Sequence, residues 1–360
     1  MQPQNILLIK AHSMGIGDLL RSSAAWLAIK RQWPNVQLHL LMLSKHEGYP
    51  SEDFIRGHHL LHGAHFVTIN DRAERERKLP FKQILASIDK SLGELACDLV
   101  IDCEPYGLRT SLITKFLARK WKAKSAGVAQ FPLRRCFYDA AAPSLEKYAA
   151  GHQLSIPMDY TERDFVVLAA LGIARQGASI NLEVSPQGFA WQARHVDALK
   201  HKAHHIPNIV LNIGCGTPDA IDRRPDLNLL AANFLYLYQR MPYTLHLSGA
   251  AFEQETNAAF LGLLQAAAGQ NVPLPQVIDW AGQCSLTELT GLLAAGDLVV
   301  SSDSGPYHMA VALGVPAVCW FNFDNPAAVH HGDRIRVLVT PQPDAFSNAV
   351  TDLMPRYAAR

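Results

Sequence analysis

The sequence predicts an α/β protein of two doubly wound domains. Three features predict it. At 360 residues the chain exceeds what one hydrophobic core ordinarily serves. Apolar runs of strand length alternate with amphipathic runs of helix length, the pattern of parallel strands joined by right-handed helical crossovers. The alternation lapses in a polar stretch from about Gly172 to Pro207 and then restarts. The junction is placed there, so the expected division is 1–180, 181–342 and a terminal segment 343–360.

In the first domain NILLI (5–9) reads as a strand, and DLLRSSAAWLAIKRQWP as one helix ended by Pro34. VQLHLLML (36–43) and AHFVTIN (64–70) read as the next strands. FKQILASIDKSLGEL is a helix, CDLVIDCE (97–104) a buried parallel strand, and GLRTSLITKFLARKW a helix with a basic end. After the junction helix SPQGFAWQARHVDALKHK come the strands NIVLNIG (208–214), YTLHLSG (243–249), PQVIDWAG, DLVVSSD (297–303) and PAVCWFN. Helices near LNLLAANFLYLYQRM, EQETNAAFLGLLQAA, SLTELTGLLAAG and GPYHMAVALG separate them, and PDAFSNAVTDLMPRY (343–357) forms the last helix.

Composition narrows the function. Apolar residues make up 49% and charged residues 18%, with a formal net charge of +1, so no global electrostatic case for a nucleic-acid partner exists. No run of about eighteen apolar residues is present and no signal peptide precedes the first strand, which points to the cytoplasm. The six cysteines are scattered without a CxxC pair and read as reduced thiols. The histidines at His58, His59 and His62, and those from His201 to His205, lack a matching carboxylate and read as solvated surface, not as a metal site.

The chemistry concentrates at strand ends. In AHSMGIGDLLRSS (11–23) a strand, a glycine turn and a helix follow in the order that usually cradles phosphate, yet Asp18 stands where the anion would sit. It is either a presented acid or the N-cap of its helix. In DLVVSSDSGPYHMAVALG the strand ends in Asp303, and Ser304 and Gly305 open a helix whose first N–H groups suit an anion; simple capping is the alternative. His308, four residues beyond Ser304, either faces that site or packs. NIGCGTPDAIDRRPD carries Thr217, Arg223 and Arg224, suited to phosphate. LSGAAFEQE offers Glu253 to ribose hydroxyls or to the helix dipole. In DWAGQCSLTEL, Ser285 and Glu288 form a capping box. Together these loops describe a nucleotide-diphosphate site on the second domain.

With these motifs in hand, the chain resembles glycosyltransferase family 9, the heptosyltransferases of bacterial lipopolysaccharide synthesis. The resemblance runs through GDLL…A, CDLVIDCEPYGLRTSL, LSGAAFEQE and AGQCSLTELTGLLAAGDLVVSSDSGPYHMAVALGVPAV, in order over most of the chain. It implies a GT-B fold: two Rossmann-like domains facing a cleft, with the C-terminal helix returning to the first. It implies inverting, metal-independent transfer from a nucleotide sugar, ADP-heptose in this family, with no cofactor. By position Asp18 resembles the general base. Asp303, Ser304, Gly305 and His308 match the D-[TS]-G-x-x-H donor motif, Glu253 the acid near the ribose, and Arg223 or Arg224 the phosphate-facing lysine.

A lipopolysaccharide-core or related glycan acceptor would bring carboxylates and phosphates. Arg21, Arg109, Arg134 and Arg135 are the first-domain residues expected to meet them, and ARKWKAK could rest on the anionic inner membrane. The sequence also departs from the family pattern. SMGIGD is two residues longer than SxxGD, Ala24 replaces a proline, DRRPD replaces Lys-x-Trp-Pro, and FNFDNP replaces FGPTDP. Two other readings share the donor domain: a GT-B nucleotide-sugar epimerase and a catalytically degenerate sugar-nucleotide-binding protein. A nicotinamide enzyme is disfavoured, since GIGD lacks G-x-G-x-x-G and no acid ends VQLHLLML.

Overall fold

The computed structural model describes residues 2–11, 15–46, 48–71, 77–195, 206–215, 218–270 and 272–355. By internal contacts the chain divides into Met1–Asn181 and Leu182–Arg360.

The first unit holds β1 (Asn5–Ala11), β2 (Gln37–Ser44), β3 (Gly63–Thr68), β4 (Leu99–Asp102), β5 (Lys124–Val128) and β6 (Ala140–Ala142). They form one sheet in the order β3-β2-β1-β4-β5-β6, each pairing parallel. β1 needs its unbroken Ile6–Ile9 run because both faces are covered, and all four residues are buried. On one face Leu7, Ile9, Leu41, Leu43 and Val100 pack against Ile84 and Ile88 of the helix Phe81–Leu92 and Ile113 and Leu117 of Leu108–Trp121. Both helical pairs are spaced four apart, so each lines one stripe. Burying each such side chain is worth roughly 1.5–3 kcal/mol, more than the few tenths that propensity distinguishes.

The expected first helix is two: Ile16–Arg21 and Ser23–Gln32. Serine chemistry accounts for the break at Ser22. The Ser23 hydroxyl donates back to Leu20 O at 2.6 Å, and the Ser22 hydroxyl takes Lys10 Nζ at 2.6 Å. Lys10 also bridges both Asp164 oxygens at 3.0 and 3.1 Å, which ties β1 to the helix Tyr160–Ala170. The reading of His58 as solvated surface is corrected. It is 3% exposed, donates from Nε2 to Asn181 O at 3.0 Å and accepts Leu60 N–H at Nδ1. His59 and His62 are exposed, and His201 to His205 lie outside the described residues.

The second unit repeats the design with β7 (Asn208–Asn212), β8 (Thr244–Ser248), β9 (Gln276–Asp279), β10 (Leu298–Ser302), β11 (Ala317–Phe321) and β12 (Ile335–Val339). The order is β12-β11-β10-β7-β8-β9, again parallel throughout. In both sheets the first strand lies centrally, with the second and the fourth as its neighbours. That reversal of winding opens a crevice at the carboxyl ends, where doubly wound folds bind ligands.

Phe234, Phe260, Trp320 and Phe346 meet in the core of this unit. Phe346 belongs to the last helix, Pro343–Leu353, which also buries Val350 in this core. Its apolar stripe is thus spent on the second unit's own core. Residues 356–360 lie outside the described set.

Candidate active site

The second unit's crevice lies between β7 and β10, whose register sets Ser301 beside Asn212. Both strands end in polar residues that tie the loops together. The Ser304 hydroxyl donates to Asn212 Oδ1 at 3.1 Å, and the Ser302 hydroxyl donates to Gly214 O at 2.6 Å. Ser304 is the N-cap of the helix Gly305–Ala312, which has proline in its first turn, but its hydroxyl caps no helical N–H. Capping by the serine side chain is therefore not what this helix start uses. Its N–H groups and dipole are arranged as at an anion site.

Asp303, 7% exposed, follows β10 directly. Its Oδ2 lies 4.0 Å from Arg223 Nη1 and accepts from Asn325 Nδ2 at 3.5 Å. Its Oδ1 lies 3.9 Å from His308 Nε2. His308 thus faces the strand end and not the core. Its other nitrogen, Nδ1, lies 2.8 Å from Nε2 of His330.

The basic loop runs through the 3-10 turn Pro218–Arg223. Arg223 is half-exposed, and the Arg224 guanidinium donates from Nη1 to Thr256 Oγ1 at 3.4 Å. The buried Arg224 Nε has no acceptor among the described residues, which is costly for a cationic donor unless a ligand supplies one. The Asn322 amide holds the loop from behind by donating to the carbonyls of Asp222 and Arg224. Thr217 lies outside the described residues.

Glu253 is 2% exposed, and its Oε2 accepts from Ala250 N–H at 2.8 Å. Its carboxylate lies against Gly214, where a Cβ would overlap it, so only glycine lets the β7 loop pass so close. Cys215 sits among these groups. Burial pushes its thiol up, opposed by the Ser302 hydroxyl and by Arg223 and Arg224. Arg223, Arg224, Glu253, Asp303, Ser304, Gly305 and His308 therefore gather at one end of the second sheet. Asn212, Asn322, Asn325 and His330 complete the set and were not singled out in the sequence. Asn212 alone left a signal there, as a polar end on a buried strand.

In the first unit Asp18 is exposed in the first turn of Ile16–Arg21. Gly15 holds the N-cap position, so Asp18 is not the cap of its helix. Glu104, from the end of β4, accepts Ala11 N–H at 2.9 Å and braces the end of β1. Ser13 and Met14, in the longer SMGIGD loop, lie outside the described residues.

Two acceptor expectations are corrected. Arg21 is 2% exposed and pairs with Asp159 at 3.2 Å and Thr161 at 3.4 Å. Arg134, also 2% exposed, donates to Asp102 Oδ2 at 3.0 Å, Ser111 Oγ at 3.0 Å and the carbonyls of Pro105 and Glu104. Both guanidinium groups are used inside the fold. Arg109 is half-buried and Arg135 exposed. Among the described residues no group of three His, Cys, Asp or Glu side chains is placed to hold a metal ion.

Comparison with known proteins fits this geometry. Residues 252–340 match the model of glycosyltransferase family 9 (heptosyltransferase). The lipopolysaccharide core heptosyltransferase OpsX of Haemophilus influenzae is 44% identical over 46 residues, a match spanning 13% of each chain. Escherichia coli ADP-heptose lps heptosyltransferase II superposes with a TM-score of 0.66 at 17% identity, over 99% of this chain and 100% of that one. E. coli heptosyltransferase WaaC with ADP-2-deoxy-2-fluoro heptose gives 0.63 at 18%, over 98% and 99%. A UDP-GlcNAc 2-epimerase from Methanocaldococcus jannaschii is a weaker likeness, at 0.52 and 13% identity over 99% and 93%. With residues 252–340 matching that family's model and two Rossmann-ordered sheets in one chain, the protein has a GT-B-type fold and resembles the heptosyltransferases of glycosyltransferase family 9.

Proposed function

We propose that the protein is an inverting glycosyltransferase that moves a sugar from a nucleotide-sugar donor, ADP-heptose in the closest reading, to a hydroxyl of a lipopolysaccharide-core or related glycan acceptor. The observation that carries it is the convergence of Asp303, His308, the helix start at Gly305 and two arginines on one strand end. That arrangement suits a sugar diphosphate. Glu253, whose carboxylate lies against Gly214, is the acid we assign to the donor's ribose.

Transfer with inversion is a direct displacement. The Asp18 carboxylate takes the proton of the acceptor hydroxyl, whose oxygen bonds to the anomeric carbon as the bond to the diphosphate breaks. The leaving diphosphate carries the negative charge away. First-turn N–H groups and Arg224, whose buried Nε has no acceptor among the described residues, stabilise it. No metal or cofactor is assigned a role.

The acceptor's anionic groups are met by Arg109 and Arg135. The basic end of Leu108–Trp121 rests on anionic lipid at the cytoplasmic face of the inner membrane. No helix among the described residues is long and apolar enough to cross a membrane.

The test combines a nucleotide-sugar screen with one variant. Thermal shift should rank ADP-heptose first, because a bound ligand stabilises by mass action. Asp18→Ala should bind donor as wild type does and lose about 10²- to 10⁴-fold in turnover. A clear preference for a UDP or GDP sugar would overturn the donor. Donor turnover that needs no acceptor would favour the epimerase, and binding without any turnover the degenerate binding protein.

A further inference from the structure

His308 matches the family's donor motif, but the group that orients it lies outside that motif. We infer that His330 is the positioning residue of the donor site. It holds His308 as the tautomer with its proton on Nε2, directed at Asp303 and the sugar diphosphate. The inference rests on the donor reading above.

Two imidazole nitrogens 2.8 Å apart share one proton: one donates and the other accepts. The far nitrogen of His308 decides which. Nε2 lies 3.9 Å from Asp303 Oδ1, where a bare lone pair would face a carboxylate and an N–H would be attracted. The proton on His308 therefore belongs on Nε2, which leaves Nδ1 to accept from His330 Nε2–H. A phosphate oxygen beside Asp303 would need the same polarity, because it too can only accept. His330 thus makes His308 a donor and not an acceptor.

The fold fixes His330 for this purpose. Its backbone N–H donates to the Tyr307 hydroxyl at 3.0 Å. The buried Tyr307 ring lies 5.0 Å from the His308 ring and 5.2 Å from that of His330. His308 and His330 are 7% and 8% exposed, so water competes little for the bond between them. Through its bond to His308, His330 acts on the donor site by way of that ring.

The tautomer is read directly on the full-length wild-type protein, without ligand, by ¹⁵N NMR of the histidine rings. A protonated Nε2 and bare Nδ1 on His308 are expected; the opposite pattern overturns the inference. Binding of ADP-heptose is then measured by calorimetry. His330→Leu should weaken it about tenfold, and His330→Gln, whose amide can donate from nearly the same place, should restore it to within about threefold of wild type.

A double-mutant cycle completes the test. If His330 acts through His308, adding His330→Leu to His308→Ala should cost nothing further. Equal losses in both backgrounds would overturn the inference, as would His330→Leu binding with wild-type affinity. If His330→Leu does not fold, the wild-type ring signals and the Gln variant still decide. Should wild type bind no nucleotide sugar at all, the donor reading fails, while the tautomer remains measured by itself.

Discussion

The side-chain amide of Asn322 donates to the backbone carbonyl of Asp222 across 2.7 Å and to that of Arg224 beside it. Asn322 directly follows β11, and Asp222 belongs to the basic loop after β7, so one amide joins the two altered motifs, FNFDNP and DRRPD. The loop's arginines are thereby presented from a fixed backbone. Asn322→Ala removes both bonds, each worth about 1 kcal/mol. The expected result is a roughly tenfold rise in donor KM with a smaller change in kcat, read by steady-state kinetics at saturating acceptor.

Arg224 and Arg223 should differ. Arg224 holds a buried Nε without an acceptor among the described residues, whereas Arg223 is half-exposed and lies 4.0 Å from Asp303. A charge-assisted bond to phosphate is worth about 1.5–3 kcal/mol, so Arg224→Ala should weaken ADP binding by roughly ten- to a hundredfold. Arg223→Ala should change it by less than about fivefold, because an exposed ion pair contributes little. Calorimetry with ADP ranks the two, and equal losses would mean that both arginines face the phosphates.

Gly214→Ala tests the Glu253 contact from the opposite side. The new methyl would stand inside the space of the Glu253 carboxylate, so either the loop or the acid must move. Donor affinity should fall at least tenfold while first-unit stability is unaffected. Because Glu253 also accepts Ala250 N–H, a Glu253→Gln variant should keep the fold and lose affinity, which separates crowding from charge.

Much of this fold was legible because parallel, doubly covered strands must be apolar throughout. NILLI, DLVVSS and AVCWF advertise themselves that way. β5 and β6 did not, since KSAGV and AAA are short and hold a single β-branched side chain, Val128, between them. Gly127 in β5 is required by space: the Tyr138 ring occupies the position its Cβ would take. β12 escaped because its five residues are only partly covered at the sheet's edge.

At the site, Asp303, Ser304 and His308 were legible because strand end, cap and helix turn are local. His330 and Asn322 were not, since their partners lie 22 and about a hundred residues away. Burial misled the reading of Arg134. From sequence it is one of two adjacent arginines in a surface-like run, but the 3-10 turn Pro132–Phe137 directs it inward while Arg135 stays exposed.

That inward arginine carries its own prediction. Asp102 is fully buried, and its Oδ2 accepts from Arg134, Tyr138 and Thr110. Removing the guanidinium strands a carboxylate in the core, so Arg134→Met should destabilise the first unit by about 3–5 kcal/mol. Arg135→Ala, on the exposed side of the same turn, should stay within about 0.5 kcal/mol. Urea unfolding followed by far-UV circular dichroism distinguishes the two. A stable Arg134→Met with a raised acceptor KM would return that residue to the acceptor site.

His58 gives the first unit an acid limit. Burial lowers its pKa to about 4, with the neighbouring His59 adding to the shift and the bond to Asn181 O opposing it. Both ring nitrogens are engaged in the neutral form: Nε2 donates to Asn181 O, and Nδ1 accepts from Leu60 N–H. A second proton on Nδ1 would meet another N–H. The unfolded chain, with an ordinary histidine near 6.5, binds that proton first. Stability is therefore complete above about pH 6.5 and declines as pH falls toward 4, by roughly 3 kcal/mol from this residue. His58→Gln keeps a donor for Asn181 and cannot titrate. Its melting temperature should fall less than that of wild type between pH 6.5 and 4.5, and parallel curves for the two proteins would assign the acid limit to other groups.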